Sequence, residues 1–323
     1  MEKENILETR SYELAWANYI RTGNDAEVRA LVSTQNPESA GVLVPTTLVN
    51  RIEDTLRTGG RILALCSITS VKGITEHPIA KSRTNPAWHD ETGTDKKVRK
   101  AITLTSVSME PQFIAEILET TRKFENDSIS AFWDWLISEL PDALRRVVDR
   151  EILTGAQSGK NGIRGILTNT ETMFVETLAT HTLYFNSANE AVSLLDDGAT
   201  SNVTAVMNKK TFLQNVMGLT GTDGHPIWQQ VMTTNLNRPA FFFGGYPVVF
   251  TDDLPAYDAA TAGQTYMLFG DFTAMKLNFP NGMAPSLIRD ELTRKDENII
   301  EYLSEIYVGG NVVRPGSFVK VTK

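Results

Sequence analysis

The residues that could do chemistry in this chain are arranged so that most chemistry is excluded. Gly155-Ala-Gln-Ser-Gly159-Lys160 has the glycines and lysine of a phosphate-binding loop. It has one spacer too few, lacks Ser or Thr after the lysine, and follows a helical pattern where the mechanism needs a strand. His77, His89, His181 and His225 form no ligand spacing with acids or with Cys66, so they read as surface or turn residues. Cys66 is the single cysteine, which forbids an internal disulfide and any multi-cysteine metal site. Between Leu65 and Ile68 it reads as a buried, inert thiol in a strand. There is no Gly-x-Ser-x-Gly elbow, and Asp196-Asp197 and Asp252-Asp253 sit beside turn residues, where turn and helix-end roles suffice. The expectation is no catalytic residue, no metal, no cofactor and no enzyme.

What remains unusual is a segment with nothing to bury itself in. From Lys81 to Lys100 the apolar residues are Ala87, Trp88 and Val98, while Lys81, Arg83, Asp90, Glu91, Asp95, Lys96, Lys97, Arg99 and Lys100 are charged. Structureless loops beyond about 12–15 residues are uncommon in compact domains and are usually functional. Such a segment must bury against something else, and a second copy of the chain is the expected partner.

Composition sets wide bounds. At 323 residues, 41% hydrophobic and 22% charged, the chain is able to build a substantial core. A net charge of −8 and a pI near 5.2 argue against a surface that grips duplex DNA, although not against a wall that encloses it. Met1-Glu2-Lys3-Glu4 opens no apolar run and no stretch approaches 18 apolar residues, so neither a signal peptide nor a membrane span is expected. The lone cysteine points to synthesis in a reducing cytoplasm.

Periodicity then places the elements. Tyr12, Ala15, Trp16, Tyr19 and Ile20 form one helical stripe, which serves either the core or docking on a neighbour, and residues 24–40 read as a polar, extended arm. Leu48, Ile52 and Leu56 mark a helix ended by Gly59-Gly60. Ile62–Val71, Ile74–Ala80 and Ala101–Met109 read as strands, the last two framing a long hairpin. A phase slip between Ile102/Leu104 and Val107/Met109 predicts a bulge near Thr105-Ser106. Apolar residues from Ile129 to Ile152 recur every three or four positions as one long helix, which Pro141 should kink or divide. Farther on, Val203–Met207, Tyr246–Thr251, Tyr266–Phe269, Lys276–Phe279, Ile299–Tyr307 and Asn311–Val321 read as strands, and Lys209–Met217 as a short helix. The fold class is α+β, with the long helix lying across a sheet.

The ordered features resemble the major capsid protein family of tailed bacteriophages, whose fold is shared with encapsulins. The resemblance runs over roughly residues 40–321. It is carried by Gly41-Val-Leu-Val-Pro45 before a helix, Ala87-Trp88-x-x-Glu91, the 127–153 helix and Val206-Met-Asn-Lys-Lys-Thr-Phe212. Gly224-His-Pro-Ile-Trp228, Gly244-Gly-Tyr-Pro-Val-Val249, Phe269-Gly-Asp-Phe272 and Val313-Arg-Pro-Gly-Ser-Phe318 complete it. It implies an N-terminal helix and arm at 1–43, a peripheral domain starting at 44–68, an extended loop at 69–107 and the peripheral domain with its spine helix at 108–164. An axial domain at 165–272, return strands at 273–307 and a C-terminal segment at 308–323 follow. Only some forty residues precede Gly41, whereas many relatives carry about a hundred residues of scaffolding there; a separate scaffolding protein, removal of such a segment, or no need for one would each account for this.

The implied function is self-assembly into an icosahedral shell around phage double-stranded DNA, with pentamers and hexamers of itself as partners. Portal, scaffolding and decoration proteins are further candidate partners, and no membrane is involved. The location implied is the virion, after synthesis in the host bacterial cytoplasm. The rival is an encapsulin shell holding a cargo enzyme, in which the aromatic stripe at 12–20 would line a cargo groove; the polar arm before Gly41 favours the phage. Trp88, Glu91, Lys96, Lys97, Lys100, Asp290 and Glu291 are candidate inter-subunit contacts. The basic run from Lys96 to Lys100 is either a solvated loop or lies over an acidic strip of Asp290, Glu291, Asp296 and Glu297 on an adjacent copy. Some relatives join a loop lysine to an asparagine of a neighbour with a glutamate as base, and Lys97, Asn298 and Glu305 are the candidates here.

Trp88 is the one large apolar group in its twenty-residue stretch and is expected to anchor on a neighbouring subunit. Trp88→Ala should impair assembly and leave thermal unfolding of the unassembled subunit nearly unchanged. Unfolding of that subunit by the substitution would place Trp88 in an internal core instead.

Overall fold

Strand pairing between segments far apart in sequence organises the chain. The computed structural model describes residues 11, 15, 16, 18, 19, 26–33, 61–80, 104–121, 129–156, 162–169, 173–221, 224–226, 228–232, 239–283, 286–290 and 293–323. It is a mixed helix-and-sheet fold in two compact units. One comprises 1–64, 113–150 and 279–308, the other 65–112, 151–278 and 309–323.

The second unit is built on a seven-stranded sheet. Its strands are β5 (Val175–Leu178), β6 (Thr204–Met207), β7 (Trp228–Met232), β8 (Pro239–Phe243), β9 (Tyr246–Phe250), β10 (Thr265–Gly270) and β14 (Phe318–Thr322), in the order β5-β14-β10-β6-β9-β8-β7. β14 runs parallel to β5 and antiparallel to β10. Every residue of β6 is buried, as expected of a strand covered on both faces. A short helix, here α3 (Ser187–Ser193), adds Ala188 and Ala191 to a core with Phe212, Phe243, Phe269, Val319 and Val321. Gly244 and Gly245 join β8 to β9 with φ of 59° and 90°, a turn geometry that favours glycine. Phe269-Gly-Asp-Phe272 and Val313–Phe318 prove to be one joint. Asp271, almost fully buried, accepts from Arg314 Nη1 at 2.5 Å, and its backbone N–H donates to Ser317 at 3.0 Å.

The same unit holds a hairpin of β2 (Thr75–Ala80) and β3 (Leu104–Met109), and β1 (Ser67–Thr69) parallel to β11 (Met275–Asn278). The hairpin register runs from Thr75↔Met109 to Ala80↔Leu104 without a shift, so the expected bulge is absent. Val107 and Met109 face inward and Leu104 is 65% exposed, so the apparent phase slip was an apolar residue on the outer face. The base of the loop is thus anchored inside its own chain through Ile79, Val107 and Met109.

In the first unit β12 (Ser286–Asp290) and β4 (Gln112–Thr121) pair with β13 (Ile299–Val312). The buried face of β13 carries Ile300, Tyr302, Ser304 and Ile306. The long helix, α2 (Ile129–Thr154), runs through Pro141 as one element, contrary to the expected division. Proline removes one interior hydrogen bond, and the buried stripe of Leu144, Val148 and Ile152 holds the rest together. Asp149 accepts from the Leu63 backbone N–H at 2.8 Å and from that of Arg61 at 3.2 Å, so α2 supports the turn Leu63–Leu65.

Other expectations need correction. Within the arm read as extended, Ala26–Ser33 is a helix, α1, with Val28 fully buried; its Ala, Glu, Arg and Leu are good helix formers. Ile62–Val71 divides into a 3-10 turn and the short β1, and Cys66, at a bend before β1, is half-buried rather than buried. Ile299–Val312 is one strand, because Gly309-Gly310 is not a turn. A Cβ on Gly309 would meet the Pro111 backbone at 2.9 Å, and one on Gly310 the Leu277 side chain at 2.5 Å. Lys209–Met217 is helical, widened into a π turn at Thr211–Asn215 and then tightened into a 3-10 turn at Val216–Gly218. His181, expected at the surface, is buried, with Nε2 2.8 Å from Ser187 Oγ. Burial holds its imidazole below the usual range, and Glu190 opposes that.

The joint at Gly270 leaves no room for a side chain. A Cβ there would lie 2.3 Å from the Phe318 ring and 2.4 Å from the Ser317 carbonyl oxygen. Gly270→Ala should cost about 1–3 kcal/mol and lower the unfolding midpoint by several degrees. An unchanged midpoint would show that β14 does not seat against β10 as described.

Candidate assembly surface

Three adjacent strands of a five-stranded sheet, β4, β13 and β12, present an outer face with exposed apolar side chains bordered by charge. β4 alternates along its length, placing Phe113, Ala115 and Ile117 outward. Phe113 is 58% and Ile117 57% exposed, and Phe113 meets Tyr307 of β13 at a ring separation of 6.1 Å. On the opposite side of β13, Ile288 of β12 stands across from Leu303 and is 52% exposed. Large apolar side chains left exposed on adjacent strands mark a candidate interaction surface. Sequence reasoning missed it because β4 and β12 were not recognised; the period of two in Phe113-x-Ala115-x-Ile117 was the available signal.

Charge gathers where β4 and β13 meet the 293–297 turn. Arg294 Nη1 lies 2.5 Å from Glu119 and 3.9 Å from Glu301, and the same guanidinium binds Glu297. The Glu297 hydrogen bond, then Glu119, raises the pKa of Arg294 above its already high value. Among the expected acidic-strip residues, Asp296 and Glu297 are exposed. Asp290 is half-buried, lies opposite Glu301, and accepts from the Thr293 backbone N–H at 3.2 Å and Oγ1 at 2.5 Å. Glu291, Trp88, Glu91, Lys96, Lys97 and Lys100 lie outside the described residues.

Asn298 and Glu305 do not stand together. Asn298 is exposed and left-handed, with φ of 56°, at the end of the turn Lys295–Glu297. Glu305 sits on β13, half-buried, opposite Ser286. Seven residues of extended chain separate them by about 23 Å. Among the described residues no group of three or more His, Cys, Asp or Glu side chains could hold a metal ion, and no helix is long and apolar enough to cross a membrane.

Residues 40–323 match the model of the phage capsid family. The chain belongs to this family. The major capsid protein of Lactococcus phage c2 is 27% identical over 226 residues, covering 68% of this chain and 42% of that protein. The matched segment therefore spans under half of that relative. The capsid of an empty GTA particle, computed with C5 symmetry, superposes with a TM-score of 0.66 at 18% identity, covering 93% of this chain and 97% of that one. A satellite phage P4 procapsid structure that includes the size determination (Sid) protein gives a TM-score of 0.52 at 12% identity, covering 85% and 99% of the two chains. At these identities the likeness shows the fold, and it is the fold of capsid subunits.

Asn298 offers a test of this corner. A β-branched residue at positive φ costs on the order of 1–3 kcal/mol, whereas glycine adopts it freely. Asn298→Val should lower the unfolding midpoint and Asn298→Gly should leave it nearly unchanged. Equal losses in both would mean that side-chain contacts, not the backbone, fix this position.

Proposed function

We propose that this chain is the major capsid protein of a phage, a structural subunit that self-assembles into an icosahedral shell around the double-stranded DNA genome. The observation that carries this reading is the family match over residues 40–323. The capsid-subunit fold over 93% of the chain supports it. The matched relatives are phage and GTA capsids, which favours a virion shell over an enzyme-holding nanocompartment. In this reading the protein is made in the host cytoplasm and works with portal, scaffolding and decoration proteins. Its spine helix lies within 108–164, its axial domain is 165–272, and the return strands are 273–307.

The extended loop, 69–107, reaches over a neighbouring subunit in this proposal. Trp88 seeks an apolar surface, and the outer face of Phe113, Ile117, Ile288 and Tyr307 is one. Lys96, Lys97 and Lys100 meet the carboxylates at its border, including Asp296 and Glu297. A crosslink would form when a lysine Nζ, Lys97 for example, attacks the Asn298 side-chain carbonyl. The C–N bond to the amide nitrogen breaks, ammonia leaves, and an isopeptide remains, with Glu305 taking the amine proton. The separation of Asn298 from Glu305 requires that these two residues come from different subunits.

Size-exclusion chromatography with light scattering checks the electrostatic part. Pentamers, hexamers or larger species should appear at low salt and weaken as salt nears about 1 M, where the screening length falls to about 3 Å. The triple substitution of Lys96, Lys97 and Lys100 by Glu should block assembly at low salt without unfolding the subunit. Exposed pairs contribute only about 0–1 kcal/mol each, so the effect rests on their repetition through a shell. If the triple variant assembles like the parent, the basic run faces solvent.

A further inference from the structure

Both ring nitrogens of the buried His181 face α3. Nε2 lies 2.8 Å from Ser187 Oγ, and Nδ1 lies 3.6 Å from Glu190 Oε2. Ser187 fixes the tautomer. Its Oγ accepts from the Tyr184 backbone N–H at 2.8 Å, and among the described residues His181 Nε2 is the one acceptor in reach of its own O–H. Nε2 is then the unprotonated nitrogen, and the Nδ1–H is directed at Glu190. Serine, histidine and carboxylate stand in the order of a nucleophilic triad, but Ser187 is 0% exposed and cannot meet a substrate. The arrangement holds structure instead.

What it holds is the start of α3. The His181 backbone N–H donates to the Thr322 carbonyl at 2.8 Å, and the Tyr266 hydroxyl donates to the His181 carbonyl at 3.1 Å, so its main chain is tied to β14 and β10. The ring packs on Tyr184 at 5.3 Å and reaches over to Ser187, the first residue of α3. Ala188 and Ala191 follow in the sheet core, and a Cβ on Gly244 would lie 2.7 Å from Ala188 Cβ. Thr180, just before the histidine, has φ of 53°, which a β-branched residue rarely adopts. Such strain persists only where neighbouring contacts over-determine it, and it gathers at switch regions. Among the described residues the charged group at the ring is Glu190. Lys323 sits over the Tyr257 ring, and the phenols of Tyr184, Tyr257 and Tyr266 complete the titratable surroundings.

We propose that His181 is a proton-operated catch that holds the start of α3 on the seven-stranded sheet. Neutral, it accepts the Ser187 hydroxyl proton, and the connection from 181 to 187 stays closed. Protonated, its Nε2–H faces the Ser187 O–H across 2.8 Å. The hydroxyl must turn from the ring, and a buried donor is left without an acceptor. Glu190 attracts the imidazolium and offsets part of that cost. Burial lowers the His181 pKa, with Glu190 opposing, so the folded value lies below the unfolded one. The catch therefore contributes fully above the unfolded value and is lost as pH falls through the folded value. In mild acid α3 loosens, while the main chain at His181 stays tied to β14 and β10.

Imidazole nitrogen NMR and hydrogen exchange of the full chain, the latter corrected for the intrinsic pH dependence of exchange, test this together. The spectra should show the Nδ1–H tautomer in mild alkali and a His181 midpoint below 6.5. Between about pH 8 and about pH 5, protection of peptides covering 184–193 should fall several-fold, while 318–322 keeps its own. His181→Gln offers the serine an uncharged acceptor and should hold the alkaline level throughout. Ser187→Ala removes the opposed hydroxyl and should raise the His181 midpoint, and Glu190→Gln should lower it. These two shifts, which a purely structural role would not produce, decide the matter if His181→Gln does not fold. An Nε2–H tautomer, a midpoint at or above 6.5, a midpoint unmoved in Ser187→Ala, or the pH profile kept in His181→Gln would overturn the catch.

Discussion

The buried seat of the C-terminal strand is the constraint on which the second unit depends. β14 lies between β5 and β10, so its three-strand neighbourhood draws on residues 175–178, 265–270 and 318–322. Asp271 and Arg314 fix the approach, and Gly270 lets Phe318 close against it. A nearly buried carboxylate opposite a half-exposed guanidinium is not a large source of stability. Losing the arginine alone would still leave an uncompensated buried charge, which makes the pairing specific. Because these strands are remote in sequence, this unit cannot close until the end of the chain arrives, which is a slow topology.

The first unit uses its sheet differently. Its inner face carries Ile300, Tyr302 and Ile306 in the buried core. Its outer face keeps Phe113, Ile117, Ile288 and Tyr307 partly in water, beside the Arg294 network. Leaving aromatic and branched residues outward on adjacent strands makes little sense for a solitary monomer. It is intelligible in a subunit whose outer face is covered on assembly, where obligate interfaces typically bury about 2,000–5,000 Å². The loop segment 81–100, with one tryptophan and a basic end, has complementary chemistry.

How much of this was legible depended on what each pattern records. The strands Thr204–Met207 and Thr265–Gly270 were readable because burial on both faces gives continuous apolar runs, and the long helix because its stripe persists over many turns. β4 and β12 were not, since each is amphipathic with glutamate or arginine among its apolar residues. Gly309-Gly310 fell between two expected strands and is a close approach within one, because glycine's missing Cβ serves a gap and a contact alike. The motifs Phe269–Phe272 and Val313–Phe318 were visible as words, but their ion pair is a tertiary fact that no local spacing contains. Asp296 and Asn298, singled out as a partner of the basic run and as a crosslink residue, are exposed, whereas the apolar face beside them depends on recognising which strands pair.

Electron microscopy of the purified full-length chain tests the central claim most directly. Self-assembly into a shell predicts closed particles, or rings of five and six subunits, whose averaged density accommodates this fold with the Phe113–Ile117 face covered by an adjacent subunit. A field of isolated single subunits at every concentration and salt condition would contradict it.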